Sequence, residues 1–224
     1  MNYFVEGIQG SGKSTLVKLL SEKYPDHKVL EEGDYSPFEL AWCAYMTKED
    51  YQDALERFPS LCGQIKEKAH PEGNHVVVCY TKIHTDDHDF YQYMEQYEIY
   101  NNRVPFDRFR EIILKRYGIW DGAPVIAECS LFQNIVEDMI LFRDMTDDDI
   151  IGLYKEIKDA IGNKQIHIAY LKAEPDDIRN NLKGEDGLVK HWIHRQELEL
   201  RICEEIFKDS YSVLPSKGYG KLEI

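Results

Sequence analysis

The sequence has few cysteines and no long hydrophobic run. Its five cysteines are odd in number and scattered, and no two of them form a C-x-x-C pair, so a disulfide framework is not indicated. Reduced thiols in a cytoplasmic protein are the simplest interpretation. No stretch approaches the roughly 20 apolar residues of a membrane span, and the N-terminus lacks a basic segment followed by an apolar run. The sequence therefore predicts neither a membrane span nor a signal peptide.

Positive charge is scarce as well. Acidic residues outnumber Lys and Arg by 41 to 27, which gives a net charge of −14. Such a protein would repel the phosphates of nucleic acid, so a nucleic-acid partner is not expected. A nucleotide ligand is not excluded, because a local site and Mg²⁺ can offset the charge of its phosphates. The length of 224 residues suits a single α/β domain with insertions, and no internal repeat or low-complexity segment is present.

The clearest motif lies near the start of the chain. Residues 7–15 read G-I-Q-G-S-G-K-S-T and fit the phosphate-binding P-loop pattern G-x-x-x-x-G-K-[ST]. The motif requires a preceding strand and a following helix. Asn2–Glu6 reads as a short buried strand, and Thr15–Tyr24 reads as a helix with one apolar face. The sequence thus predicts a site for a nucleoside triphosphate. The alternative is a glycine-rich turn that merely joins a strand to a helix.

Each residue type in this loop has a physical role. Glycines let backbone N–H groups close around phosphate oxygens, and the helix that follows points its positive dipole end at the anion. Lys13 is expected to reach the β- and γ-phosphates, and the Ser14 hydroxyl is expected to bind Mg²⁺. The predicted nucleotide-binding residues are Gly7, Gln9, Gly10, Ser11, Gly12, Lys13, Ser14 and Thr15.

Strands and helices are predicted to alternate along the rest of the chain, which favours a parallel sheet between layers of helices. Further strands are expected at His27–Glu31, Pro124–Glu128 and Gln165–Leu171, with a short one in the tail. Between the first two of these, Phe38–Phe58 reads as one or two helices broken near Thr47, and His75–Ile83 reads as an extra strand. Later helices are expected at Leu131–Met145, Asp147–Ile161, Pro175–Leu182 and Val189–Asp209.

Residues 4–15 resemble the opening of thymidylate kinases, in which Asp usually stands at the position of Gln9. The chain resembles more broadly the nucleotide and nucleoside kinase branch of the P-loop proteins. Residues 32–34, 40–45 and 128–134 are similar to a group of uncharacterised bacterial P-loop proteins. The kinase resemblance implies a three-layer parallel sheet of strand order 2-3-1-4-5, with ATP as phosphoryl donor and Mg²⁺. It also implies an acceptor-binding region, at residues 35–120, and a short lid, at residues 179–195.

Two acidic positions are candidates for the chemistry, because ligands of open α/β sheets lie beyond the carboxyl ends of the strands. Deoxynucleoside kinases, which this chain resembles in plan, place a catalytic acid after the second strand, so Glu32 or Asp34 is the candidate base or acceptor anchor. A solvated acidic turn is the alternative. Glu128 ends the next buried strand and is predicted to hold Mg²⁺ or to orient the acceptor. The alternative is an ordinary charge at a strand end.

Cations in the lid are expected to stabilise charge on the transferred phosphoryl group. Arg179 and Arg195 are the leading candidates, and charge pairing on a helix surface is the alternative. Arg103, Tyr35 and Trp42 are candidates for acceptor binding, with structural roles as the alternative.

These observations predict a small-molecule kinase that transfers the γ-phosphoryl group of ATP to a nucleotide, nucleoside or other hydroxyl or phosphate acceptor. The alternative is a regulatory or sensory P-loop NTPase without a small-molecule acceptor. The chain contains no N-K-x-D run, which argues against a GTPase version of that alternative. Kinases of this branch are often dimers, so the resemblance also allows a homodimer.

Overall fold

The structure, a computed structural model, describes residues 1–181 and 186–216. In chain order the elements are β1 (Asn2–Gly7), α1 (Lys13–Lys23), β2 (Lys28–Leu30), β3 (Ala44–Thr47), α2 (Lys48–Arg57), α3 (Cys62–Glu67), β4 (Ala69–Glu72), β5 (His75–Val78), α4 (His88–Glu95), α5 (Phe106–Ile119), β6 (Val125–Glu128), α6 (Gln133–Leu141), α7 (Asp147–Ile161), β7 (Ile166–Lys172), α8 (Pro175–Asn181), α9 (Asp186–Ile206) and β8 (Tyr211–Pro215), with a 3₁₀ helix at Tyr80–Lys82. Within these ranges no helix is long and apolar enough to cross a membrane.

The larger sheet is parallel. Its five strands, counted over the described residues, lie in the order β2-β6-β1-β7-β8, and each neighbouring pair is parallel. β1 is therefore the central strand, with β6 on one side and β7 on the other. The strands predicted at His27–Glu31, Pro124–Glu128 and Gln165–Leu171 are confirmed as β2, β6 and β7.

Helices pack on both faces of this sheet because successive side chains of a strand point to opposite faces. On one face Val5 of β1 packs with Leu16 and Leu20 of α1. On the other face Phe4 belongs to the main core, to which α5, α6, α7 and α9 contribute. Complete burial of a side chain such as Phe4 stabilises the fold by about 1.5–3 kcal/mol. The result is an α/β arrangement compatible with a three-layer fold.

A second, antiparallel sheet forms between β2 and β6, within the predicted acceptor-binding region. Its strands lie in the order β3-β5-β4, and Val77 of β5 pairs with Tyr45 on one side and His70 on the other. α2, α3 and α4 cover it with a separate apolar cluster, to which Phe58 and Phe90 belong. The inserted region thus has an apolar core of its own.

The sequence predicted this inserted region only in part. The extra strand expected at His75–Ile83 is present over its first four residues as β5. A 3₁₀ helix replaces the rest of it. β3 and β4 were not predicted.

The helical prediction for Phe38–Phe58 is wrong before Lys48, but the break expected near Thr47 is confirmed. Ala44–Thr47 forms β3 instead, because it pairs with β5, a partner distant in sequence, and tertiary pairing overrides local propensity. The helix that follows is α2. Thr47 starts it, since its Oγ1 accepts a hydrogen bond from the backbone N–H of Asp50 at 3.1 Å.

Candidate functional site

The loop between β1 and α1 has a backbone that depends on glycine. Gly7, Gly10 and Gly12 have φ values of 138°, 77° and 95°, in a region that L side chains rarely adopt. A Cβ at Gly7 would lie 2.5 Å from the carbonyl oxygen of Leu171, so the loop can pass this close to β7 only without a side chain. Gly12 is the N-cap residue of α1. The loop therefore ends at a helix N-terminus, where an anion is favoured.

Lys13 is held against the loop and not extended into solvent. Its Nζ donates to the carbonyl oxygens of Gly7 and Ile8, each at 2.9 Å, and the residue is buried. An ammonium group has three N–H donors, so these two contacts leave one donor for a ligand oxygen. The side chain is thus prepositioned at the glycine loop.

β6 brings Glu128 to the same loop. Glu128 pairs in register with Val5 of β1, and the Ser14 Oγ donates a hydrogen bond to Glu128 Oε1 at 2.8 Å. Hydroxyl and carboxylate oxygens are suitable ligands for Mg²⁺. No group of three or more His, Cys, Asp or Glu suited to a metal occurs in the described part of the chain. A magnesium ion at this pair would therefore also need oxygens from ligand phosphates or water, which is how Mg²⁺ usually binds.

A cavity of about 580 Å³ lies at this loop, a size typical of small-molecule sites. Beside the loop residues, its walls are formed by Glu32, Trp42, Glu128, Cys129, Gln133, Asn134 and Glu137. These residues follow β2 or lie at the end of β6 and in α6. The cavity is thus at the carboxyl edge of the parallel strands, the usual ligand site of such sheets.

The two acidic candidates after β2 have different surroundings. Glu32 lines the cavity, and its Oε1 accepts a hydrogen bond from Gln133 Nε2 at 2.6 Å. Asp34 Oδ2 accepts from the backbone N–H of Glu31 at 2.9 Å, and its Oδ1 lies 3.1 Å from Lys82 Nζ. Asp34 therefore closes a turn and pairs with the inserted region. Glu32 is the acid that shares a cavity with the P-loop motif.

Two residues of the cavity wall have left-handed backbone conformations. Trp42 has a φ of 63° and Cys129 a φ of 55°, and such conformations cost on the order of 1–3 kcal/mol in non-glycine residues. The carbonyl oxygen of Trp42 accepts a hydrogen bond from Thr81 Oγ1 at 3.1 Å, which holds the strained segment. Trp42 is also 49% exposed although it is large and apolar. Strain and exposure at one cavity wall support a binding role for Trp42.

Two other predicted acceptor-binding residues lie away from this cavity. Tyr35 lines a separate cavity of about 520 Å³, where its hydroxyl donates to Glu72 Oε1 at 2.6 Å. Arg103 pairs with Glu95 on α4. The structure therefore gives no support to acceptor binding by Tyr35 or Arg103, and their structural alternatives account for the contacts observed.

Arg179 is at the surface in α8. Its guanidinium lies 3.0 Å from Asp176, and its side chain is 60% exposed. It is not among the residues that line the cavity at the glycine loop. Residues 182–185 of the predicted lid lie outside the described residues. The phosphate-stabilising role of Arg179 stays a prediction.

Arg195, in contrast, is buried. Its Nη1 lies 2.8 Å from Glu137 Oε2 and its Nε 3.0 Å from Glu199 Oε1. Burial raises the pKa of Glu137, but contacts with His191 and Arg195 outweigh it and lower the pKa below its usual range. Because Glu137 lines the cavity, Arg195 is connected to the site through this carboxylate. Its predicted contact with phosphate stays a prediction.

Sequence reasoning missed a buried acid directly before the loop. Glu6 is fully buried, and its Oε1 accepts a hydrogen bond from the backbone N–H of Leu131 at 2.7 Å. Burial is the main reason that its pKa is raised, to about 8, and nearby Glu199 adds to the effect, while Leu131 and Lys13 oppose it. The signal was a carboxylate inside a strand that was expected to be buried. Gln133, Asn134 and Glu137 were missed as well, because α6 reaches the cavity only through the tertiary fold.

Comparison with known proteins does not assign this site. No protein-family model matches the chain, and no match was found among curated proteins.

Proposed function

We propose that the protein is a small-molecule kinase that transfers the γ-phosphoryl group of ATP to an acceptor hydroxyl. The observation that carries this proposal is the shared cavity, in which the P-loop motif, the Ser14–Glu128 pair and Glu32 meet. The parallel strands lie in the order β2-β6-β1-β7-β8, which is compatible with the order that the kinase resemblance implies. That order supports the proposal independently of the motif.

Phosphoryl transfer depends mainly on positioning and on charge stabilisation. Lys13 contacts the β- and γ-phosphates with the donor that the loop carbonyl groups leave unused. Ser14 and Glu128 would hold Mg²⁺, which would supply positive charge at the phosphate oxygens. Glu32 accepts the proton of the acceptor hydroxyl. The acceptor oxygen then bonds to the γ-phosphorus as the bond to the bridging oxygen breaks, and ADP leaves.

The proposal is tested by measuring ADP formation and ATP affinity in matched variants. The wild-type protein should release ADP in the presence of a suitable nucleoside, sugar or aminoglycoside. Lys13→Ala should weaken ATP binding. Glu32→Gln should keep ATP affinity but lose acceptor-dependent turnover by roughly 10²–10⁴-fold, the usual contribution of a general base.

Asp34→Asn is the matched control, because this acid follows the same strand but does not line the cavity. It should retain most of the turnover. Slow ADP release that needs no acceptor and is indifferent to Glu32→Gln would contradict the kinase proposal. That result would favour the regulatory NTPase.

A further inference from the structure

A second cavity adjoins the one at the P-loop. Its volume is about 270 Å³, and it shares Trp42, Asn134 and Glu137 with the first cavity. The remaining wall comes from the segment around Glu98 to Asn101 and from the C-terminal end of α6. The two cavities are therefore adjacent across these three residues, and together they are called the cleft.

Large apolar side chains are exposed along this second cavity. Trp42, Leu141 and Phe142 line it and are 49%, 51% and 46% exposed. Asn101, also in its wall, has a left-handed backbone with a φ of 59°. Exposed apolar surface at a concave site marks ligand binding. Trp42 lies between the two cavities, so a ligand that packs on it is adjacent to the phosphoryl donor.

The ionisable side chains that line the cleft are mostly acidic. Among the described residues that line the two cavities, Lys13 is the sole cationic side chain. The P-loop cavity has carboxylates at Glu32, Glu128 and Glu137. The second cavity adds the carboxyl groups of Glu98 and Asp138. Since Lys13 is committed to the donor phosphates, the acceptor end of the cleft offers no cation to a ligand.

The arginines behind this wall pair with its carboxylates and are shielded from solvent. Arg195 Nη1 lies 2.8 Å from Glu137, and Arg143 Nε lies 2.5 Å from Asp138. Both guanidinium groups are nearly inaccessible to solvent. Phosphate sites in proteins depend on accessible Arg or Lys donors. Those pairings offset the charges of Glu137 and Asp138, so a phosphorylated acceptor would meet the carboxyl group of Glu98 and, among the described residues of this cavity, no accessible cation.

We propose that the acceptor carries no phosphate and binds in this second cavity as an uncharged or cationic hydroxyl compound with a flat or apolar face. The inference rests on the kinase activity proposed above. Apolar contact with Trp42 and Phe142 holds the face of the compound. Amide and carboxylate oxygens of Asn134 and Glu98 accept hydrogen bonds from its N–H or ammonium donors. The cleft thus excludes nucleoside monophosphates, the acceptors that the thymidylate kinase resemblance would suggest.

The test compares pairs of compounds that differ only in a phosphate group. Thymidine with thymidine 5′-monophosphate and glucosamine with glucosamine 6-phosphate are suitable probes. Binding is measured by calorimetry while a non-hydrolysable ATP analogue and Mg²⁺ fill the P-loop, and ADP formation is measured separately with ATP. In at least one pair the unphosphorylated member should bind at least about tenfold more tightly than its phosphorylated partner, because like charges oppose the latter.

A charge added at the rim provides the matched variant. Leu141 is half-exposed at the C-terminal end of α6, where a cation is tolerated well. Leu141→Arg should reduce the preference against the phosphorylated member several-fold. Leu141→Gln, of similar polarity but without charge, should leave the preference unchanged.

The outcomes separate the two proposals. Equal or tighter binding of the phosphorylated member in both pairs, or no binding of either member of both pairs, would overturn the acceptor inference. The expected binding preference without any ADP formation would support the cavity inference and contradict the kinase. ADP formation with a preference for the phosphorylated members would support the kinase and contradict the cavity inference.

Discussion

The path of the glycine loop past β7 can be tested with a single methyl group. In Gly7→Ala the new Cβ would lie 2.5 Å from the carbonyl oxygen of Leu171 and 2.9 Å from Ser11 Oγ. The carbonyl belongs to a strand that is paired on both sides, by β1 and β8, so it cannot move away without disturbing the sheet. The φ of 138° at this position adds backbone strain.

The backbone strain and the steric overlap together set the expected loss of folding stability. Strain in a disallowed backbone region costs on the order of 1–3 kcal/mol, and a steric overlap in a packed interior costs about as much again. We expect Gly7→Ala to lower the free energy of unfolding by about 2–6 kcal/mol. For a domain of this size that loss lowers Tm by roughly 4–24 °C. Urea denaturation and thermal melting followed by circular dichroism measure both quantities.

Gly152→Ala is the control, because this substitution is expected to increase folding stability. Gly152 lies within α7, and a Cβ there would meet nothing within 4 Å. Because alanine stabilises a helix interior relative to glycine, this variant should gain about 0.5–1 kcal/mol. If Gly7→Ala were as stable as the wild type while Gly152→Ala behaved as expected, the close approach of the loop to β7 would be wrong. A smaller stabilisation of Gly7→Ala than of the wild type by MgATP would further indicate that the loop binds phosphate.

Glu128→Gln keeps an acceptor for the Ser14 hydroxyl but removes a charge, so the affinity for ATP should fall about tenfold when Mg²⁺ is present and should not change when it is absent. Titrations with and without EDTA measure this difference, and an equal loss of affinity in both conditions would contradict a metal-binding role. Burial raises the pKa of Glu6 to about 8. Above the ordinary pKa of a glutamate the unfolded state loses this proton, whereas the folded state keeps it. The stability that this group contributes therefore declines as the pH rises from about 4.5 to 8. Glu6→Gln should remove that part of the decline in urea denaturation measured across this range, and an unchanged pH profile would show that Glu6 is ionised in the fold. Arg195→Ala leaves Glu137 and Glu199 without their cation and should destabilise the protein by about 3–5 kcal/mol; normal stability with loss of kcat alone would instead support direct contact with phosphate.

The elements that sequence predicted best are those governed by local chemistry. The helix predicted at Asp147–Ile161 is α7 with the same bounds. Its start is encoded locally, because the Thr146 side chain accepts from the Asp149 backbone N–H while the Asp149 carboxylate accepts from that of Thr146, a capping box. The strand–loop–helix context of the P-loop motif is local in the same sense, and the structure has it as β1 and α1.

The residue roles that the sequence left open depend on contacts with residues far along the chain. Glu32 and Asp34 are equivalent by spacing, and what distinguishes them is Gln133 on α6 and Lys82 in the inserted region. Spacing identified the i,i+4 pair of Arg195 with Glu199 but could not show that it is buried. The contact that connects this arginine to the cavity involves Glu137, 58 positions away. Such pairs form only when the chain has folded, so no local pattern encodes them.

The separate apolar core of the inserted region has a consequence for how the two halves of the cleft respond to change. Met46, Phe58 and Phe90 stabilise the small antiparallel sheet without taking part in the clusters around β1. Local unfolding follows such cooperative units, so α2, α3 and α4 can loosen from the small sheet while the parallel sheet stays intact. The other face of the small sheet belongs to the main core around β1, and so does Cys43, the neighbour of Trp42. Both halves of the cleft therefore rest on one framework, and changes over time or over evolution are better tolerated in the outer helices of the inserted region than in either cavity wall.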